Sequence, residues 1–140
     1  MLGFSWEGFI PNLQRAPLGP QDDPTARKIR WAIQLYMDRD KYGELGLQGS
    51  YYNSYYYLYV WDWLLSLEEW QEMPGFNPNK KSEDQAEAVS IMEGLGYSAS
   101  NQLELVIVTG SGTSGLRQTE LLVEDLGQLH IKADVRVQQS

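Results

Sequence analysis

The residues best placed to do chemistry lie near the C-terminal end. Gly110, Gly112 and Gly115, in the run GSGTSG, have the G-x-G-x-x-G spacing. The run follows an apolar, β-branched segment and precedes one with helical spacing, and Asp134 comes roughly 20 residues later, in a second strand-like segment. In that setting glycines let a pyrophosphate approach a helix N-terminus, and the acid takes the ribose hydroxyl. Against this, the chain ends at Ser140, shortly after the second segment, and no parallel strand is expected before the first. A glycine-serine connection explains the same letters, so nucleotide binding through Gly110–Gly115 stands here as an alternative only.

The other candidates are weaker. His130 is the single histidine, and the chain has no cysteine, so neither a histidine pair nor a thiolate site for a metal is available. Ser111, His130 and Asp134 have the residue types of a hydrolytic triad, but nothing in their spacing supports one. Glu68 with Glu69, and Glu124 with Asp125, are adjacent in sequence and so diverge on a helix or strand. They are expected on a solvated edge. No catalytic residue, cofactor or metal ligand is therefore expected, and the chain is read as a non-enzyme.

The elements that would position any site are dominated by residues 51–70, which hold six of the nine tyrosines and three of the five tryptophans. Tyr52, Tyr56, Tyr59, Trp63 and Leu67 recur at helical spacing, which predicts one helix over 51–70, started by Ser50 or Ser54 and stopped by Pro74 and Gly75. A strand over 51–60 is the alternative, since tyrosine and valine favour strands. Before it, Asp23 and Pro24 are start signals for a helix running to about residues 40–42, with the stripe Ala26, Ile29, Ile33, Tyr36 and Met37. After it, Ser82 with Gln85 fits a capping box for a third helix ending at Gly96. Residues 103–109 read as a strand buried on both faces. Residues 116–126 read as a helix stopped by Gly127, with a β-meander as the alternative. Residues 128–137 alternate as a second strand, Leu129, Ile131, Ala133, Val135 and Val137 facing one way.

The first 23 residues form an expected N-terminal arm. Phe4, Trp6, Phe9 and Ile10 are apolar, and four of the six prolines lie in the first 24 residues, which predicts an extended course. The arm packs either on its own domain or on a neighbouring subunit. Arg27, Lys28 and Arg30 are the one basic cluster and read as a solvated face. With net charge -8 and no Lys or Arg between Tyr42 and Asn79, direct contact with nucleic acid or an anionic membrane is disfavoured. Asp62 and the tyrosine hydroxyls argue against a membrane span, and no basic leader region marks a signal peptide, so a cytoplasmic or virion-assembled setting is expected.

These readings combine into an α+β chain: an arm over residues 1–23, then one domain over 24–140. In it three N-terminal helices surround the central aromatic one, followed by a small strand–helix–strand unit. A two-stranded sheet is too small to be stable alone. With the arm and the surplus aromatic surface, that predicts a structural or connector subunit of a larger protein assembly, as homo-oligomer or hetero-assembly. A bacteriophage neck, tail or baseplate is the expected setting. Its interface residues would be Phe4, Trp6, Phe9, Ile10, Tyr55, Trp61 and Trp70. The alternative from a different class is an acidic inhibitor that blocks a basic nucleic-acid-binding surface.

Overall fold

The computed structural model describes residues 9–46 and 66–139. The expectations for Phe4, Trp6, Tyr55, Trp61 and most of the aromatic segment lie outside the described residues. The remainder is mixed helix and strand, α+β as expected. Ahead of a β–α–β unit the described residues show two full-length helices and two short ones, and most of the central aromatic helix expected among them lies outside the described residues.

Helix α1 (Pro24–Tyr36) starts where the sequence predicts. Asp23 accepts from the Ala26 amide at 2.7 Å, and Pro24 occupies a position that needs no amide donor. It buries Ala26, Ile29, Ala32, Ile33 and Leu35. It ends sooner than expected, because Met37 is extended (φ -62, ψ 121) and Asp38 then caps a new short helix, α2 (Arg39–Lys41), through the Asp40 and Lys41 amides. One π-helical turn, Tyr42–Gly46, follows.

The proline-rich approach to α1 does not run extended. Gly19 donates to the Arg15 carbonyl at 2.8 Å and Asp23 to that of Pro20 at 3.2 Å, so the chain turns twice. These turns bring Leu18 into the core, where it is 3% exposed. The Arg30 guanidinium donates to the Leu18 and Gln21 carbonyls, so one member of the basic cluster fastens this segment while Arg27 and Lys28 face solvent.

Of the helix expected over 51–70, residues 51–65 lie outside the described residues, and at Ser66 a helix starts where the expectation ran straight through. That residue is extended (φ -66, ψ 166) and caps this helix, α3 (Leu67–Gln71). A reciprocal capping box sets this start: the Ser66 hydroxyl accepts from the Glu69 amide and the Glu69 carboxylate accepts from the Ser66 amide. The S-x-x-E signature lay inside the aromatic periodicity and outweighs it.

Helix α4 (Lys81–Gly94) also starts differently from the expectation. Ser82 and Gln85 form no capping box. Asn77 caps a 3₁₀ turn, Pro78–Lys80, that leads into α4. This frees the first turn of α4 to bind the end of α1. Lys81 Nζ donates to the carbonyls of Leu35 (3.2 Å), Met37 (2.9 Å) and Gly75 (2.7 Å), and Gln85 Nε2 donates to that of Tyr36 at 3.1 Å. Three consecutive carbonyls that a helix end leaves without partners are thus satisfied by one facing helix. Gly75 sits against α1 with φ 85, and a Cβ there would meet the Gln34 carbonyl oxygen at 2.8 Å. At the far end Gly96 (φ 93) closes α4 as predicted. Its amide bonds to the Glu93 carbonyl and that of Tyr97 to the Met92 carbonyl, a Schellman pair.

The C-terminal part is strand–helix–strand, not a meander: β1 (Leu103–Gly110), α5 (Thr113–Gln128) and β2 (Ile131–Gln138). The strands pair in parallel, Leu103 opposite Ile131 through Gly110 opposite Gln138. Gly127 does not stop α5. The chain turns at His130, which takes φ 59 and bonds its amide to the Gly127 carbonyl. Leu103, Leu105 and Ile107 join one core with α1, Ala88 and Met92 of α4, and Leu122, Leu126 and Leu129 at α5. No helix among the described residues is long and apolar enough to cross a membrane.

Candidate functional site

Parallel strands place both C-terminal ends at one edge of the unit, where α/β folds bind ligands. Here Gly110, Ser111 and Gly112 face Gln138 and Gln139 across an open groove of ≈ 350 Å³. Gly112 is the N-cap of α5, without a side-chain hydrogen bond. The loop matches the expected strand–glycine–helix context, but its partners do not converge. Asp134 sits mid-strand, opposite Val106 and so roughly 13 Å short of Gly110 along the strands. It is bonded to Arg136 at 3.2 Å. A dinucleotide site needs that acid at the strand end. Nor does packing demand the glycines. A Cβ at Gly110 or Gly112 meets nothing within 4 Å, and one at Gly115 makes an ordinary 3.5 Å contact with Thr109 Oγ1.

The Ser111–His130–Asp134 combination is dispersed. Ser111 follows the C-terminal end of β1, while His130 precedes the N-terminal end of β2. The parallel register therefore holds them roughly 25 Å apart. His130 Nε2 instead lies 3.5 Å from Glu93 Oε1 at the end of α4. Among the described residues no group of three metal-ligating side chains forms.

One of the adjacent acid pairs is not a solvated edge. Asp125 is 5% exposed, and its Oδ1 is 3.0 Å from Lys41 Nζ, with Glu124 Oε1 at 3.6 Å. The spacing was legible: Asp125 lies three residues after Leu122 and four before Leu129, inside the apolar stripe of α5. The Tyr42 hydroxyl and Asp125 Oδ2 are buried there, neither within hydrogen-bond distance of a partner among the described residues. Burial, then the Asp125 charge, pushes the Tyr42 phenol far above its ordinary value, and the same causes raise Tyr36. Burial pulls Lys41 down, but the hydrogen bond and charge of Asp125 outweigh it and hold the ammonium above its usual range. A nucleophilic lysine or a tyrosine base needs the opposite shifts. The Lys41–Asp125 pair joins α2 to α5.

The remaining surface feature is the outer face of the sheet. Burial along β1 alternates, so the expectation of a strand covered on both faces is corrected. Val106 is 48% and Val108 56% exposed. Around them Glu104 pairs with Lys132 at 3.8 Å and Asp134 with Arg136 at 3.2 Å. These exposed pairs contribute little stability. The other face packs against α5 and shares its core with α1 and α4.

The expected interface residues in the described part divide. Ile10 is 73% exposed, whereas Phe9 packs against the chain's own core. Trp70 is half-buried, its ring 5.3 Å from that of Phe76, and the Arg39 guanidinium lies 3.8 Å over the Phe76 ring. Val106 and Val108 are not among the interface residues that the sequence suggests, because a continuous apolar run does not reveal which face lacks a cover.

No protein-family model and no curated protein matches the chain. A solved structure with a similar fold is the crystal structure of Haemophilus influenzae OppA in complex with RPPGFSPFR. The TM-score is 0.55 and the identity 17%, covering 84% of this chain. The chain spans 23% of the length of that protein. At this identity the likeness concerns the fold.

Proposed function

We propose that this chain is a non-enzymatic subunit of a larger protein assembly, joined to its neighbours through the β1 side of the sheet. The observation that carries this reading is the half-exposed pair Val106 and Val108 on the outer face of a parallel sheet that has two strands among the described residues. Parallel sheets are ordinarily covered on both faces and made of more strands. Apolar side chains there are what a further layer or strand would cover. Exposed Ile10 adds to the same reading from the N-terminal segment. A bacteriophage neck, tail or baseplate component is the narrower form of it and rests on size and composition.

The acidic-inhibitor alternative draws on the charge of -8. An ordered acidic row would favour it, but Glu104, Asp125 and Asp134 each face a cation. Affinity purification of the tagged chain from its source cells, followed by native mass spectrometry, tests the assembly reading. A stoichiometric complex, with itself or another protein, is expected. A strictly monomeric chain with no stoichiometric partner refutes it.

A further inference from the structure

The two strands of the sheet are not equivalent. On the face covered by α5, β1 is fully buried through Leu103, Leu105 and Ile107, while on β2 exposure rises to 38% at Val135 and 49% at Val137. The strand β2 is therefore the margin of the layered unit. Its other face carries Lys132, Asp134 and Arg136, the kind of charged row that protects natural sheet edges from pairing. The strand β1 has the composition of an interior strand, with Glu104 its one charge. Yet it pairs only with β2 among the described residues.

The ladder tells which backbone groups are left over. The Leu103 amide bonds to the His130 carbonyl at 2.9 Å, so Leu103, Leu105 and Ile107 direct their backbone groups toward β2. By alternation, the amides and carbonyls of Glu104, Val106 and Val108 point to the outer edge of β1. That edge offers a row of donors and acceptors flanked by apolar side chains on both faces.

We infer that the outer edge of β1 pairs antiparallel with β1 of a second copy of this chain, giving a four-stranded sheet in the order β2–β1–β1–β2. This rests on the assembly reading above and names its partner. Centred on Val106, the two-fold arrangement sets Val106 opposite Val106, Leu105 opposite Ile107 and Glu104 opposite Val108 across the interface. No like charges face one another, and Glu104 keeps Lys132 beside it in its own chain. Cross-strand pairs of β-branched residues are the favourable kind, and like charges directly opposite are the unfavourable kind. A two-fold contact of this type uses the same patch on both copies and closes on itself. Since each copy carries net charge -8, association strengthens as salt screens the long-range repulsion.

The test is sedimentation of the full chain across concentration and salt, with two substitutions at one exposed position. The wild type is expected to shift with concentration from 16.0 kDa to twice that mass. Val108→Glu sets an acid opposite Glu104 of the partner and should weaken the dimer by at least about tenfold, while Val108→Lys sets a cation there and should retain it. Because Val108 is 56% exposed, both variants keep the fold, which circular dichroism checks. Hydrogen exchange gives an independent reading: the Glu104, Val106 and Val108 amides should gain protection with concentration. A wild type monomeric at every concentration overturns the inference, as does a dimer that tolerates Val108→Glu. A stoichiometric complex with a different protein, alongside a monomeric free chain, overturns the self-pairing while leaving the assembly reading in place.

Discussion

Replacing Lys81 with methionine isolates the joint between α1 and α4. The methionine fills a similar volume but removes the ammonium that three carbonyl oxygens share at 2.7–3.2 Å. A hydrogen bond to a charged group contributes about 1.5–3 kcal/mol, and a buried acceptor left without a donor costs about 1–3 kcal/mol. Three such losses do not add in full, because the bonds share one donor group and the site is only part-buried. The ammonium also sits there at a cost. Burial, with the Arg39 charge, pulls Lys81 below the ordinary lysine range, so some of the gain offsets desolvation. The net expectation is a loss of about 3 kcal/mol. For a chain of 140 residues that corresponds to a fall in Tm of about 10 °C. Urea unfolding followed by circular dichroism, with Tm from calorimetry, measures it. Lys81→Arg should recover only part of the loss, since a planar fork cannot meet three convergent carbonyls as a compact ammonium does. A loss below about 1 kcal/mol for Lys81→Met would show that water replaces the ammonium and that the joint rests on the apolar contacts of Ala88 and Met92 with α1.

Three further outcomes follow from the buried centre and the glycines. Tyr42 and Tyr36 have raised folded values, so the folded chain holds protons that the unfolded chain releases above about pH 10. The stability they contribute is complete below that pH and is lost as pH climbs above it. Lys41 acts in the same sense, while lowered Lys81 opposes it. Urea midpoints taken from about pH 8 to pH 11 should fall at the alkaline end, and Tyr42→Phe should flatten the fall. Asp125→Ala leaves the Lys41 ammonium with Glu124 at 3.6 Å as its carboxylate and opens a cavity, so it should cost about 2 kcal/mol in urea unfolding, more than Asp125→Leu, which fills the space. Gly75 and Gly96 both have positive φ, but only Gly75 is crowded. Gly96→Ala should therefore cost about 1 kcal/mol and Gly75→Ala clearly more, compared by Tm.

What the sequence by itself determined was local. The Asp23–Pro24 start of α1, the Gly96 stop of α4 and the strand–helix–strand order are set by side chains acting within a few residues of themselves, so they can be read in one dimension. The helix start at Ser66 was equally local and was hidden only by the stronger aromatic periodicity of the sequence around it. The tertiary structure decided everything that depends on a partner far along the chain. Gln85 caps Tyr36 of another helix instead of its own N-terminus, and Lys81 closes the end of α1 across 46 residues. Asp125 enters the core because Lys41, 84 residues away, meets it there. The apolar run of β1 fixed that it would be a strand. Which of its faces would be covered depended on where α5 and the two long helices came to rest, and that is a property of packing, not of any one segment.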